Sequence, residues 1–368
     1  LVNITADPML KESESLFCYA VSEFGEPLVP LRMPMPEPKG TEVLLKVDAA
    51  GVCHSDLHIC HGFYDLGGGK RFLMKDRGIR LPVIMGHEIC GTVVSAGPEA
   101  EGVTTGARKL AFPWIGCGSC ETCARGEEHY CLAPRFLGIF RPGGYASHVL
   151  VPHPRYLLDI GAMDPAIAAP FACSGLTAYS ALRKIPESVL KSEPIVLFGA
   201  GGVGLMCLTL LGMLGARGAI VVDIDARKRA TALELGALVA LDGQDPNLVD
   251  SIKAASATGK GVRAAIDFVG VPSTVQTGFD SLMKGGTQVI VGLIGGAISL
   301  SIPLIASRAI AIQGSYVGSL AELDELMQLV RRRPPVPLPA RRRALAEANA
   351  ALAELEAGRV IGRTILCP

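Results

Sequence analysis

Four cysteines, Cys117, Cys120, Cys123 and Cys131, fall within fifteen residues in the pattern C-x2-C-x2-C-x7-C. Three thiols at two-residue gaps can wrap one ion, and the fourth closes a tetrahedron after a short excursion. Gly116, Gly118 and Gly126 supply the backbone freedom such a wrap needs. With every corner filled no place is left for water, so the expected role is structural and the expected metal is zinc. Four cysteines can also hold an iron–sulfur cluster, but this spacing differs from the common ferredoxin runs. A disulfide framework is the other use of eleven cysteines, and it belongs to short secreted chains rather than to one of 368 residues.

Two further groups carry chemistry. One is dispersed over Gly51-Val52-Cys53-His54-Ser55-Asp56-Leu57-His58, Gly86-His87-Glu88 and Cys173-Ser174-Gly175. Singly, each residue has a plain explanation, since a buried cysteine packs as a small apolar group. Together, Cys53, His87 and Cys173 offer two thiolates and an imidazole and leave a fourth position open, as a catalytic zinc requires. The other group is Phe198-Gly199-Ala200-Gly201-Gly202-Val203-Gly204, which carries G-x-G-x-x-G. Alone the pattern is weak. Here it follows the strand-like Ile195–Phe198 and opens an apolar helix, the context that lets glycine backbone approach a pyrophosphate at a helix N-terminus. Nineteen residues after Gly204 stands Asp223, whose carboxylate would accept from an adenosine ribose and repel a 2′-phosphate, favouring NAD over NADP.

These residues need elements to hold them. A chain of 368 residues suggests two domains. Residues 1–172 are rich in Gly and Pro, with short runs such as Val43-Leu44-Leu45-Lys46-Val47, and predict a mostly-β domain. From Ile195 apolar strands (Ile195–Phe198, Ala219–Val222, Ala264–Phe268, Thr287–Val291) alternate with helices (Val203–Leu214, Ala226–Leu235, Leu248–Ala257), the signature of a parallel sheet with right-handed crossovers. The tail from Tyr316 returns to helix at Leu320–Val330 and Leu345–Leu355. Between these lie two arginine triplets, Arg331–Arg333 and Arg341–Arg343, around a proline run that forbids continuous helix; a solvated loop is expected there, with an anion-binding patch as the alternative. Thirty-five basic residues balance 35 acidic ones, so no overall field recruits nucleic acid or an anionic membrane. The opening Leu1–Glu14 has no basic leader, apolar run or cleavage site, and the most apolar helical stretch is too short to cross a bilayer; a cytoplasmic enzyme is expected.

The order of these features resembles the zinc-dependent medium-chain alcohol dehydrogenases over essentially the whole chain. Gly126-Glu127-Glu128-His129-Tyr130-Cys131 and Gly144-Tyr145-Ala146 are most similar to the homotetrameric NAD-dependent branch. The resemblance implies an α/β architecture: a GroES-like, mostly-β catalytic domain (1–172, completed by 316–368) and a Rossmann doubly wound coenzyme domain (173–315). It implies two zinc ions per chain, with Cys53, His87 and Cys173 as ligands of the catalytic one, the set alcohol dehydrogenases are known for. Asp56 is then the acceptor that fixes the ring of His87, and Glu88, close behind the metal, assists ligand exchange. Ser55 and His58 form the proton relay, and Lys228 contacts the adenosine ribose beside Asp223; Arg227 is either a second such contact or a solvated helix start. Trp114, Phe136, Leu57 and Ile294 wall the substrate pocket, or serve as plain core. An apolar pocket favours an aliphatic or aromatic alcohol over a polyol or charged sugar. A homotetramer is also implied, with the apolar stretch Ala297–Ile305 expected to pair as strand across a two-fold axis.

One departure stands out. The interval from Cys53 to His87 is longer than in many family members, and the extra segment, residues 63–80, holds Gly67-Gly68-Gly69 and five basic residues. A mobile loop near the site mouth is expected. Rival functions remain. A zinc-free enoyl or quinone reductase of the same superfamily is disfavoured by the complete ligand set. A dehydrogenase of a CoA or thiol adduct would need a dedicated anion site, which the sequence does not identify.

Overall fold

The computed structural model describes residues 15–368; Leu1–Glu14, expected to carry no export signal, lies outside the described residues. Six parallel strands, Ile195–Phe198, Ala219–Asp223, Val239–Asp242, Val262–Asp267, Leu282–Ile290 and Ala311–Gly314, lie in the spatial order third, second, first, fourth, fifth, sixth. This is the doubly wound order, whose reversal beside the first strand leaves a crevice at the strands' carboxyl ends. Helices Gly202–Met213, Ala226–Glu234, Leu248–Ala255 and Pro272–Ser281 make crossovers. Ile195–Phe198 is buried throughout, so it reads as a continuous apolar run rather than an alternating one.

A second sheet has seven strands. Its path runs Leu157–Asp159, Arg108–Ala111, Glu88–Ala96, Val43–Gly51, Arg363–Cys367, Ala340–Ala344, and His148–Val151 also pairs with Val43–Gly51. The long antiparallel pair sets Gly51 opposite Glu88, which brings the strand end before Cys53 beside the strand start after His87. The final strand, Arg363–Cys367, pairs with Val43–Gly51, so the tail returns to this seven-stranded sheet. One buried apolar cluster joins this sheet, through Leu45 and Ile365, to Leu176 and Leu210 on helices of the nucleotide half. Among the described residues no helix is long and apolar enough to cross a membrane.

Three expectations need correction. Ala297–Ile305 forms no strand: residues 297–301 are irregular, and Ile302–Arg308 is a helix with Pro at its N-terminal turn, where a fixed φ suits helix rather than ladder. The arginine triplets flank an irregular, mostly exposed stretch as expected but, Arg333 apart, are not themselves loop, and Arg343 is not solvated. Arg331 and Arg332 end the helix Leu320–Arg332, and Arg341–Arg343 lie in the strand Ala340–Ala344. There Arg343 is buried and pairs with Glu347 at 3.0 Å and Glu354 at 2.5 Å, so carboxylates nearby stabilise charge where composition alone suggested solvent. Residues 63–80 are no plain loop either. Phe63–Gly67 and Lys70–Leu73 form an antiparallel hairpin, with Gly67, Gly68 and Gly69 all at positive φ in its turn.

The glycines of the nucleotide turn differ in what confines them. Gly199 has φ +91°, which L side chains rarely adopt; a Cβ at Gly204 would lie 1.8 Å from the Gly199 carbonyl oxygen; a Cβ at Gly201 would meet nothing within 4 Å. Gly204→Ala should therefore lower unfolding stability by about 2 kcal/mol or more through forced displacement of backbone. Gly201→Ala should stay within about 1 kcal/mol of wild type, the size of a helix-cap change. Chemical denaturation of both variants checks this, and equal losses would mean that the turn does not hold the helix against the strand.

Candidate active site

Cys53, His87 and Cys173 come together although 120 residues of chain separate the first from the last. One ligand atom of each lies within 4.8 Å of the others, and all three side chains are buried. Cys53 caps the helix His54–His61, whose third residue Asp56 accepts the Cys53 N–H at 2.9 Å. Cys173 ends a short 3₁₀ turn and opens the helix Ser174–Arg183. Their proton affinities are pulled apart. The hydrogen bond with Cys173 holds the Cys53 thiol well below its ordinary range, helped by His87 against the opposing effect of burial. Burial alone would lower His87, but the Asp56 carboxylate overrides it and raises the imidazole well above its usual range. Nε2 of His87 is buried with no hydrogen-bond partner among the described residues. Buried thiols beside an unpartnered ring nitrogen make a donor set that fits a soft divalent cation and little else.

The surroundings are fixed by charge. Asp56, fully buried, also accepts from the Tyr145 hydroxyl at 2.8 Å. Its other oxygen lies 3.3 Å from Nδ1 of His87, too poorly aligned for a hydrogen bond, so that contact is a charge pairing. Glu88, next in sequence, is buried against the Arg363 guanidinium and accepts the Ser174 N–H at 3.1 Å. The residue after a candidate ligand is thus tied to the residue after another.

The four-cysteine lobe has the dimensions of a closed site. A tetrahedron of sulfurs about 2.3 Å from zinc has edges of about 3.8 Å; Cys120 lies 3.5 Å from Cys123 and 3.8 Å from Cys131, and Cys117 lies 3.9 Å from Cys123. The Ser119 hydroxyl and N–H pull Cys117 down to about 5, while burial and its neighbours push Cys123 up to about 12. Four sulfurs this close cannot all ionise without a cation. A Cβ at Gly116 would lie 2.3 Å from Cys123 Sγ, which is why glycine stands there. Glu128 secures the lobe, accepting from the Gly116 N–H at 2.9 Å, the Tyr156 hydroxyl at 2.8 Å and Arg155 at 2.8 Å. Sequence reasoning passed over Glu128 because its partners lie up to 28 residues away.

A cavity of about 600 Å³ lies between the two sheets. Cys53, Cys173, Ser55 and His58 line one part, and Gly199, Gly201–Gly204, Asp223 and Lys228 another. Asp223 accepts from Ala200 N at 2.7 Å and from Asp225 N at 2.9 Å, which sets its carboxylate at the mouth of the glycine turn. Arg227 is paired with Asp225 at 2.7 Å on the surface and does not line the cavity. Ser55 and His58 are three apart on one helix and share its cavity face. Burial, with His54 adding, lowers the His58 imidazole to about 4.

The chain matches two family models, "Alcohol dehydrogenase GroES-like domain" over residues 39–161 and "Zinc-binding dehydrogenase" over residues 202–332. It is 37% identical to the NAD-dependent alcohol dehydrogenase of Sulfurisphaera tokodaii, over 94% of this chain and 98% of that one. The chain belongs to the zinc-dependent medium-chain alcohol dehydrogenase family. Another relative is the D-arabinose 1-dehydrogenase (NADP(+)) of Saccharolobus solfataricus, 31% identical over 95% of this chain and 96% of that one. The crystal structure of the Aeropyrum pernix alcohol dehydrogenase superposes with a TM-score of 0.86 at 28% identity, covering 96% of this chain and all of that one.

The substrate end of this alcohol dehydrogenase differs from expectation. Trp114 and Ile294 line the cavity, but Leu57 and Phe136 do not. Leu57 packs into the core, and Phe136 stands edge-on behind Trp114 with centroids 5.3 Å apart. Nor is the lining wholly apolar. Tyr64 and Arg77, from the 63–80 segment, line it with Tyr316. Directly after Tyr316 the backbone enters the left-handed region at Val317, φ +42°, a conformation costing a β-branched residue about 1–3 kcal/mol. His54 and Arg363 also line the cavity, two residues to which the sequence motifs assign no role; burial lowers the His54 imidazole, so of the two only Arg363 brings a charge.

Proposed function

We propose that this enzyme moves a hydride reversibly between a primary or secondary alcohol and NAD, with one zinc ion held by Cys53, His87 and Cys173 and a second in the lobe of Cys117, Cys120, Cys123 and Cys131. The observation that carries this reading is the convergence of two buried thiols and an unpartnered imidazole beside the cavity that opens on the glycine turn. When bound, zinc acidifies the alcohol hydroxyl and NAD takes the hydride. The chain's own residues do the rest. Ser55 accepts the hydroxyl proton while passing its own on, and His58, neutral above about pH 4, receives it and releases it to solvent. No hydrogen bond joins Ser55 to His58 among the described residues; a bound NAD, held by the glycine turn beside them, would supply a ribose hydroxyl to bridge the two. Asp56 fixes the His87 ring, and Glu88 with Arg363 holds the floor behind the ligands.

Gly199, Gly201, Gly202, Val203 and Gly204 form the pyrophosphate cradle. The open space at Gly201 is where backbone can approach a ligand. Asp223 and Lys228 take the adenosine ribose, and the NAD-dependent naming of the Sulfurisphaera relative supports the same choice. We assign 1–172 with 316–368 to the catalytic domain and 173–315 to the coenzyme domain. All eleven cysteines are unpaired, which suits the reducing cytoplasm. A homotetramer is supported by apolar side chains exposed away from the cavity lining at Ile298, Ile302 and Leu304.

Elemental analysis should find about two zinc ions per chain. Cys53→Ser should abolish NADH production from an alcohol panel yet unfold near the wild-type temperature, whereas Cys120→Ser should lose stability, because closed sites contribute folding energy. If the two variants behave alike, the division of roles fails. Asp223→Gly should raise kcat/KM with NADP and lower it with NAD, and an unchanged ratio would place the carboxylate away from the ribose. His58→Gln should slow alcohol oxidation roughly tenfold near neutral pH, where water replaces the base only in part. That deficit should shrink toward pH 10 as hydroxide takes over, with zinc content unaltered. A constant deficit across the pH–rate profile would remove His58 from the relay.

A further inference from the structure

Arg77 lines this cavity, and among the described residues no carboxylate answers its charge. Its two terminal nitrogens donate to phenol oxygens, Nη1 to Tyr64 at 3.2 Å and Nη2 to Tyr316 at 2.9 Å. Its guanidinium carbon lies 5.8 Å from the ring centroid of Tyr64 and 5.8 Å from that of Phe140. Among the described residues no carboxylate pairs with it. The other arginines with cavity or core positions behave differently: Arg363 has Glu88, and Arg343 has Glu347 and Glu354. A half-buried guanidinium keeps its charge at any pH of interest and has five N–H donors. Two phenols occupy only part of that fork. Each phenol that accepts from Arg77 still has its own O–H to donate. The three groups together form a nest of donors with no acceptor of full charge.

We propose that Arg77, with Tyr64 and Tyr316, is the specificity-determining site for a carboxylate on the substrate, so that the enzyme acts on alcohols, and in reverse on aldehydes or ketones, that also carry an acid group. This inference rests on the alcohol dehydrogenase reading and deepens it.

The geometry sets where the acid stands on the substrate. Tyr316 packs edge-on against Trp114, centroids 6.2 Å apart, and Trp114 lies 5.3 Å from the His87 ring. Tyr64 packs 4.8 Å from His58. Arg77 is therefore separated from the metal ligands by aromatic rings, and the carboxylate and the carbinol carbon are several bonds apart. An α-hydroxy acid would not bridge them. The apolar walls between, Trp114 and Ile294 among them, suit an aromatic or aliphatic spacer. One arginine matches one carboxylate; of the cavity's other lining cations, Arg363 is paired with Glu88 and Lys228 is the one assigned to the cofactor ribose, which leaves none for the several phosphates of a nucleotide-bearing thioester.

The test uses the zinc-loaded enzyme with NAD and a matched pair, para-(hydroxymethyl)benzoate against para-methylbenzyl alcohol, with an ω-hydroxy fatty acid against the corresponding alkanol. Wild type should favour the acid of each pair by tenfold or more in kcat/KM, expressed mainly in KM. Arg77→Leu should cut the acid-to-neutral ratio about a hundredfold, the size of a lost buried charge partner. Arg77→Lys should recover part of it. Calorimetric binding of para-toluate to the zinc- and NADH-loaded enzyme should weaken in Arg77→Leu. If that variant does not fold, the wild-type preference and Arg77→Lys still decide. Wild type oxidising both members equally overturns this inference and leaves the alcohol dehydrogenase reading standing. Losses of equal size on acid and neutral substrates in Arg77→Leu would also overturn it, making Arg77 a tie between the hairpin and Tyr316. No turnover of either member would overturn both.

Discussion

A carboxylate and a guanidinium sealed from water cannot be parted without leaving a bare charge inside, a loss of about 3–5 kcal/mol. Glu88 and Arg363 are such a pair, and much of the structure is arranged around them. Gly51 stands opposite Glu88 in the sheet because a Cβ there would lie 1.9 Å from the carboxylate. The same carboxylate takes the Ser174 N–H and so sets the start of the helix that carries Cys173. On the other side, the Arg363 stem passes so close to Gly202 that a Cβ there would lie 2.4 Å from it. One ion pair therefore fixes strands of the seven-stranded sheet, a candidate metal ligand and the first turn of the nucleotide helix relative to one another.

A second buried carboxylate works beside it. Asp56 accepts from the Cys53 backbone and the Tyr145 hydroxyl and faces the His87 ring as a charge, so the ligands on two neighbouring strand ends share one carboxylate. The lobe of four cysteines repeats the device at its own scale with Glu128. In each case a negative side chain out of reach of the substrate decides where a donor atom sits. That is why the sites are rigid although their ligands come from turns and helix ends.

What could be read beforehand was what lies close in sequence or repeats. The glycine turn, the cysteine lobe and the strand–helix alternation from Ile195 each have a local pattern with a physical cause. Cys53, His87 and Cys173 became a site only through the family resemblance, since nothing local links them. The misreadings share a cause. Ala297–Ile305 has the apolar content of a strand, but Pro303 suits the first turn of a helix and the stretch pairs with nothing. Arg343 looked solvated like its exposed neighbours Arg341 and Arg342, because strand pairing with Arg363–Cys367 and the ion pair with Glu354 are invisible in composition. Arg77 and Tyr316 meet across 239 residues. Leu57 and Phe136 were placed by analogy, and the packing turned both into the core.

The hairpin of residues 63–73 reaches the nucleotide half through main chain. Gly296 N donates to the Asp65 carbonyl at 3.4 Å, and a Cβ at Gly67 would lie 2.6 Å from Ala297 N. Contacts made through glycine and peptide groups are indifferent to the side chains around them. The hairpin can therefore exchange its other residues over evolutionary time without losing its hold across the cleft. Architecture and recognition are inherited separately here: the backbone bridge keeps the two halves in register while the side chains it presents are free to drift toward new ligands.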